Sequence, residues 1–162
     1  MLTKKKRSQK QEKSVAKDLG AKTVIASGAL WGAKGDVRSD QFLFECKTTE
    51  KPKYIFTAKS WEKITKQAIA DHMRIPVFVV DICDKERFFI VNAEDFSPLI
   101  KEEPVSIYND TDLYSSFVLH KGERTPSLQK IIATPNFRKK PFVHRLLILS
   151  PEIFKEIVES WD

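Results

Sequence analysis

The stretch that decides the fold is GDVRSDQFLFECK, residues 35–47. The apolar residues between positions 42 and 46 are typical of a buried strand. Glu45 and Lys47 nevertheless lie within the same run, and Asp36 precedes it. The fold must therefore give these three charged side chains a place beside a core strand.

Alternation along a strand separates these residues into two faces. Leu43, Glu45 and Lys47 share one face, and Phe42, Phe44 and Cys46 share the other. We expect the core to pack mostly against the second face. A turn at Ser39–Asp40 predicts a hairpin, which brings Asp36 close to Glu45.

Two carboxylates held side by side repel each other unless a cation lies between them. Asp36 and Glu45 offer oxygen ligands without a nearby histidine, which favours Mg²⁺ and, after it, Mn²⁺. Lys47 could position a water or stabilise charge on a phosphate. The alternative is a surface hairpin with an ion pair and no bound metal.

A strongly basic helix is predicted over residues 3–19, ending at Gly20. Glu12 precedes Val15 by three positions and Leu19 by seven, which places it on the same inward face. Its carboxylate either forms a salt bridge, lies in an exposed first turn, or points into a site.

The next segments alternate between strand and helix patterns. Residues 22–29 predict a short strand that enters a loop of small residues. Residues 58–72 predict a helix with Trp61, Ile64 and Ala68 on one face. Residues 75–83 form a continuous apolar run, typical of a central strand covered on both sides. A further strand is predicted at FFIVN, residues 88–92. This order predicts an α/β fold with a mixed central β-sheet flanked by helices.

Residues 101–162 predict a C-terminal α+β extension packed on the same domain as a core of residues 1–100. Strands are expected at SSFVLH and RLLILS, and Ser150 is expected to cap a final helix. The basic segment between the two strands, residues 121–145, is either a solvated loop or a second surface that contacts phosphates.

Composition restricts the partners. The net charge of +6 favours a polyanionic partner. Cys46 and Cys83 lie in strand-like runs and predict buried, reduced thiols, and the three histidines show no metal-ligand spacing. No apolar stretch approaches the roughly 18–20 residues that span a bilayer, so no membrane association and a cytoplasmic location are expected, in the host cell if the gene is a phage's.

Taken in order, these motifs resemble the PD-(D/E)-x-K nuclease superfamily. They are the helix with Glu12, the SGA of residues 27–29, the GD that ends at Asp36, and the ECK of residues 45–47. Their order is similar to that of the archaeal-type Holliday junction resolvases and their phage relatives. Gly35 stands where that family often has proline, and nothing after residue 100 matches.

The resemblance implies a restriction-endonuclease-like core and a Mg²⁺-dependent DNA endonuclease that cleaves four-way junctions as a homodimer. It implies that Asp36 and Glu45, with Glu12, bind the metal. Lys47 would be the catalytic lysine, Ser27 a residue that lines the site, and Gln67 a further polar residue from the following helix. The phosphate backbone would be held by basic side chains of the first helix and of the C-terminal segment: Lys5, Lys6, Arg7, Lys10, Arg138, Lys139 and Lys140.

Two other functions remain open. One is a nuclease of the same type that acts on linear or single-stranded DNA. The other is a non-catalytic DNA-binding domain on the same fold.

Overall fold

The computed structural model describes residues 3–24, 35–100, 105–106, 115–122, 127–134 and 142–161. The helices are α1 (Lys4–Asp18), α2 (Ala58–Ala70), α3 (Ala93–Phe96) and α4 (Pro151–Glu159). The strands are β1 (Lys22–Thr23), β2 (Val37–Arg38), β3 (Phe42–Thr49), β4 (Lys53–Thr57), β5 (Ile75–Ile82), β6 (Glu86–Asn92), β7 (Val105–Ser106), β8 (Ser116–His120), β9 (Ser127–Thr134) and β10 (Phe142–Leu149). No helix within the described ranges is long and apolar enough to cross a membrane.

Eight of the described strands form one mixed sheet in the order β1-β2-β3-β5-β6-β10-β9-β7. β3 pairs with β5 and β7 with β9 in parallel, whereas the other neighbours are antiparallel. β4 and β8 form a separate antiparallel pair. The chain therefore has the predicted α/β fold with a mixed central sheet flanked by helices.

Two hydrophobic clusters cover the two faces of the sheet. On one face, α1 and α4 pack on the strands, and Phe154 of α4 stacks on Phe89 with ring centroids 4.2 Å apart. On the other face, α2 and the β4–β8 pair cover the sheet through Trp61, Phe56 and Leu119. β5 contributes to both clusters because its successive side chains alternate, which confirms its prediction as a strand covered on both sides.

The expectation that the core lies mostly behind Phe42, Phe44 and Cys46 is wrong. Leu43, on the face of Glu45, is also fully buried and belongs to the cluster under α2. Glu45 itself is buried with 7% of its surface exposed. The two charged residues of β3 therefore project from a sheet that is packed on both sides.

Several element predictions are confirmed and others need correction. α1, the β2–β3 hairpin, α2, β6, β8 and α4 lie where the sequence placed them, and Ser150 caps α4 through the N–H of Ile153. β4 was missed, and β9 lies within the segment predicted as a loop or phosphate-contacting surface. α2 ends at Ala70, so His72 lies beyond it, with a φ of 58°.

The sheet continues from the first hundred residues into the last sixty. β10 pairs with β6, and β9 pairs with β10 over all eight of its residues. The division into a core and an extension at residue 100 stays a prediction. Both cysteines are free thiols, but Cys46 alone is buried, whereas Cys83 is half-buried at the turn after β5.

Gly35 sets the entry to the hairpin. Its φ is +67°, a left-handed conformation that glycine adopts without a steric cost. Proline, whose ring fixes φ near about −65°, cannot occupy this position. A Cβ here would lie 2.7 Å from Cδ1 of Leu43 and 3.0 Å from the carbonyl oxygen of Phe44. The backbone therefore explains why this chain has glycine before Asp36.

Candidate metal and nuclease site

The register of the hairpin positions Asp36. Val37 pairs with Phe44, so continuing the register by one residue places Asp36 opposite Glu45. Because β2 begins only at Val37, the N–H of Cys46 lies beyond the paired backbone, and it donates to Oδ2 of Asp36 at 2.8 Å. The hairpin thus holds one carboxylate against the edge of β3.

Lys47 joins the two carboxylates. Its Nζ donates to Oε1 of Glu45 at 2.6 Å and lies 3.9 Å from Oδ2 of Asp36. Burial alone lowers the pKa of Lys47, but the hydrogen bond and charge of Glu45 and the charge of Asp36 raise the pKa above its ordinary value. Lys47 is therefore an ammonium at neutral pH. It can neutralise negative charge or orient a water, but it does not act as a base.

Glu12 approaches the same group from α1. The pKa of this half-buried carboxyl is raised, first by burial and then by the charge of Asp36; Lys47 lowers it and Glu45 raises it. These interactions place Glu12 within electrostatic reach of the other three residues. The structure thus brings together Asp36, Glu45 and Lys47, and Glu12 of α1 interacts with them electrostatically.

Glu12 gives a prediction for the metal-free protein. The pKa of Glu12 is raised in the folded state, so folding disfavours its ionised form. The free energy of unfolding therefore falls as the pH rises from about 4.3, the ordinary pKa of glutamate, through the raised pKa of the folded protein. Glu12→Gln is therefore expected to raise the Tm in EDTA at pH 8 and to change it less at pH 4. Thermal unfolding at both values measures this, with the exposed Glu156→Gln on α4 as the control. An equal shift at both pH values would refute the electrostatic origin.

Gln11 fixes α1 against β3 at Lys47. It is buried, and its Nε2 donates to the carbonyl oxygen of Lys47 at 2.9 Å. Its Oε1 is buried without a hydrogen-bond partner among the described residues. Sequence reasoning missed Gln11, although it lies four residues before Val15 and so on the same face as the buried stripe of α1.

Two further residues border the site and were also missed. Lys63 of α2 has its Nζ 3.5 Å from Oε1 of Glu45. The pKa of Tyr54 in β4 is raised above its ordinary value, chiefly by burial. The charge of Lys47 lowers this pKa and the charge of Glu45 raises it. The alternation in Lys53–Thr57 could have indicated β4 and Tyr54, whereas the contact of Lys63 depends on how α2 docks.

The other predicted site residues are less closely connected. Gln67 lies one turn beyond Lys63 on α2, and its Oε1 is buried without a partner in the described part of the chain. No hydrogen bond recorded for the described residues joins Gln67 to the four charged residues. Ser27 lies outside the described residues.

The predicted DNA-contacting residues of α1 divide into two groups. Lys5, Lys6 and Lys10 are exposed, and Lys6 and Lys10 border a shallow depression of about 300 Å³. Arg7 instead forms an ion pair with Glu50, and only 14% of its side chain is exposed. Arg7 thus has a structural partner, and its role as a DNA contact stays a prediction. Arg138, Lys139 and Lys140 lie outside the described ranges.

The residues that the resemblance implies as metal ligands offer only carboxylate oxygens. Three carboxylates lie within electrostatic reach of one another, and hard cations such as Mg²⁺ prefer oxygen ligands. No group of three or more His, Cys, Asp or Glu side chains in the described residues is spaced to hold a metal ion. In the arrangement seen, Lys47 and Lys63 supply the positive charge beside Glu45.

No family model and no curated protein matches this chain. The geometry of the four charged residues therefore carries the functional conclusion.

Proposed function

We propose that this chain is a metal-dependent DNA endonuclease with a restriction-endonuclease-like core, and that it hydrolyses phosphodiester bonds in branched DNA. One observation carries the proposal: Asp36, Glu45 and Lys47 meet near the middle of β3, within electrostatic reach of Glu12 on α1. Perturbed titratable groups gathered at one place favour a functional site over a purely structural ion pair.

The balance of charge supports a site that takes up a cation. The charges of Asp36 and Glu45 destabilise the ionised form of Glu12, and a fold that needed only a stable pair would keep one carboxylate beside Lys47. Buried ion pairs contribute little to stability on balance, because desolvation offsets their attraction. The excess negative charge is thus a cost that binding of Mg²⁺ or Mn²⁺ would relieve.

Asp36 and Glu45, with help from Glu12, are the residues that would hold the metal. When bound, a divalent cation would polarise the scissile phosphate and lower the pKa of a coordinated water. Lys47 remains protonated, so its ammonium can orient that water or stabilise charge on the phosphoryl oxygens. The Cys46 N–H and the Gln11 amide fix Asp36 and the backbone at Lys47.

The substrate follows from the resemblance to junction resolvases and from the basic surface. A four-way junction needs two symmetric incisions, so we propose a two-fold homodimer. The exposed Lys5, Lys6 and Lys10 of α1 would contact phosphates of the junction arms.

A comparison of substrates tests the proposal. Wild-type protein in Mg²⁺ is incubated with a synthetic four-way junction, the linear duplexes of its arms, and single strands of the same sequence. We expect faster cleavage of the junction than of either linear form, and no cleavage in EDTA. Preferred cleavage of linear or single-stranded DNA would instead support a nuclease of the same type with another substrate. Metal-independent binding without cleavage of any substrate would support the non-catalytic domain.

A further inference from the structure

The exposed face of α2 carries three lysines in register. Lys59, Lys63 and Lys66 are spaced i, i+4 and i+7, so they lie on one face of the helix, and all three are exposed. The buried residues of α2 lie on the opposite face: Ala58, Trp61, Ile64 and Ala68. The packing of α2 therefore leaves a basic stripe directed away from the core.

Lys63 connects this stripe to the candidate site. Its Nζ lies 3.5 Å from Oε1 of Glu45, although 62% of its side chain is exposed. Glu45 already accepts a shorter hydrogen bond, 2.6 Å, from Lys47. An exposed lysine paired with a carboxylate contributes little to stability. Lys63 thus places an exposed ammonium group beside the candidate site, where it can contact a polyanionic ligand.

We propose that Lys59, Lys63 and Lys66 bind the phosphate backbone of the DNA strand that enters the site, with Lys63 nearest the scissile phosphate. This inference rests on the proposed function, because it assigns the path of the same substrate. The seven-residue step from Lys59 to Lys66 rises about 10 Å along the helix axis. About three phosphates of one strand of a duplex occupy the same axial distance.

The placement of α2 and α1 supports a DNA path past Glu45 of β3. α1 packs on one face of the sheet and α2 on the other. Glu12 of α1 and Lys63 of α2 both approach Glu45, at the strand between them. The site thus has a helix on each face of the sheet, and Lys63 brings a basic side chain to it from α2.

The salt dependence of DNA binding tests this proposal. Binding of a four-way junction is measured in EDTA over a range of NaCl concentrations for wild type and for the triple variant Lys59→Ala, Lys63→Ala, Lys66→Ala. Each phosphate contact contributes about 0.9 to the slope of log K against log[salt] for duplex DNA. We expect each single variant to reduce the steepness by about 0.9 and the triple variant by about 2.7.

Lys155→Ala is the matched control. Lys155 is 60% exposed and pairs with Glu159 at 3.8 Å, so its exposure and its ion pair resemble those of Lys63. It lies on α4, which covers the opposite face of the sheet from α2. We expect its slope to equal that of wild type. A triple variant whose slope equals that of Lys155→Ala would overturn the proposal.

The test separates this inference from the proposed function. Because binding is measured without metal, the slope does not depend on cleavage. If Asp36→Asn abolishes cleavage while the α2 variants keep the wild-type slope, the nuclease assignment stands and the DNA path is wrong. If the α2 variants lose slope while wild type cleaves no DNA, the path stands and the nuclease assignment fails.

Discussion

Replacing Asp36 with Asn is expected to lower the single-turnover rate of junction cleavage by at least about 10²–10³-fold. Asn keeps an oxygen that can accept the N–H of Cys46, so the hairpin should fold, but it removes the negative charge that a metal requires. Glu45→Gln and Lys47→Met should cause losses of similar size, since each removes one charge of the same group. Junction binding should change by less than about tenfold, because exposed lysines outside the group supply the phosphate contacts.

Asp40→Asn is the control for these variants. Asp40 lies in the turn of the same hairpin and is exposed, so its replacement removes an equal charge without touching the site. We expect its cleavage rate to remain close to that of wild type. Cleavage that persists in the variants of Asp36, Glu45 and Lys47 would contradict the assignment of the site.

Gly35→Ala is expected to lower the free energy of unfolding by about 2–4 kcal/mol. An alanine at φ +67° is strained, and its Cβ would lie 2.7 Å from Cδ1 of Leu43 and 3.0 Å from the carbonyl oxygen of Phe44. Leu43 is fully buried and Phe44 belongs to β3, so neither atom can yield without disturbing the strand. Urea denaturation measures the loss.

Gly20→Ala separates the two causes. Gly20 has a similar φ of +61°, but no atom lies within 4 Å of the position of a Cβ. Only the conformational cost of about 1 kcal/mol should remain. Equal losses of unfolding free energy at positions 20 and 35 would show that the close approach of residue 35 to Leu43 has no energetic role.

Local patterns in the sequence were sufficient for part of the fold. The hairpin spans few residues, and alternation along β3 fixes which side chains share a face, so Asp36, Glu45 and Lys47 could be placed together. β5 was recognisable from its length and apolar run. Ser150 and Pro151 likewise marked the start of α4.

The rest depends on contacts between distant segments. β9 carries polar residues among its apolar ones, and pairing with β10 makes it a strand. β4 is short and pairs with β8, about sixty residues away in the sequence. Lys63 and Gln11 reach the site only because α2 and α1 dock on opposite faces of the sheet, which no local spacing indicates.

The central claim is that Asp36 and Glu45, with Glu12, bind a divalent cation. Titration of the intact protein with Mn²⁺, with free Mn²⁺ measured by electron paramagnetic resonance, tests it most directly. We expect saturable binding of Mn²⁺ that Mg²⁺ displaces, retained in Asp40→Asn and lost in Asp36→Asn. Absence of binding to wild type, or equal binding by wild type and Asp36→Asn, would contradict the claim.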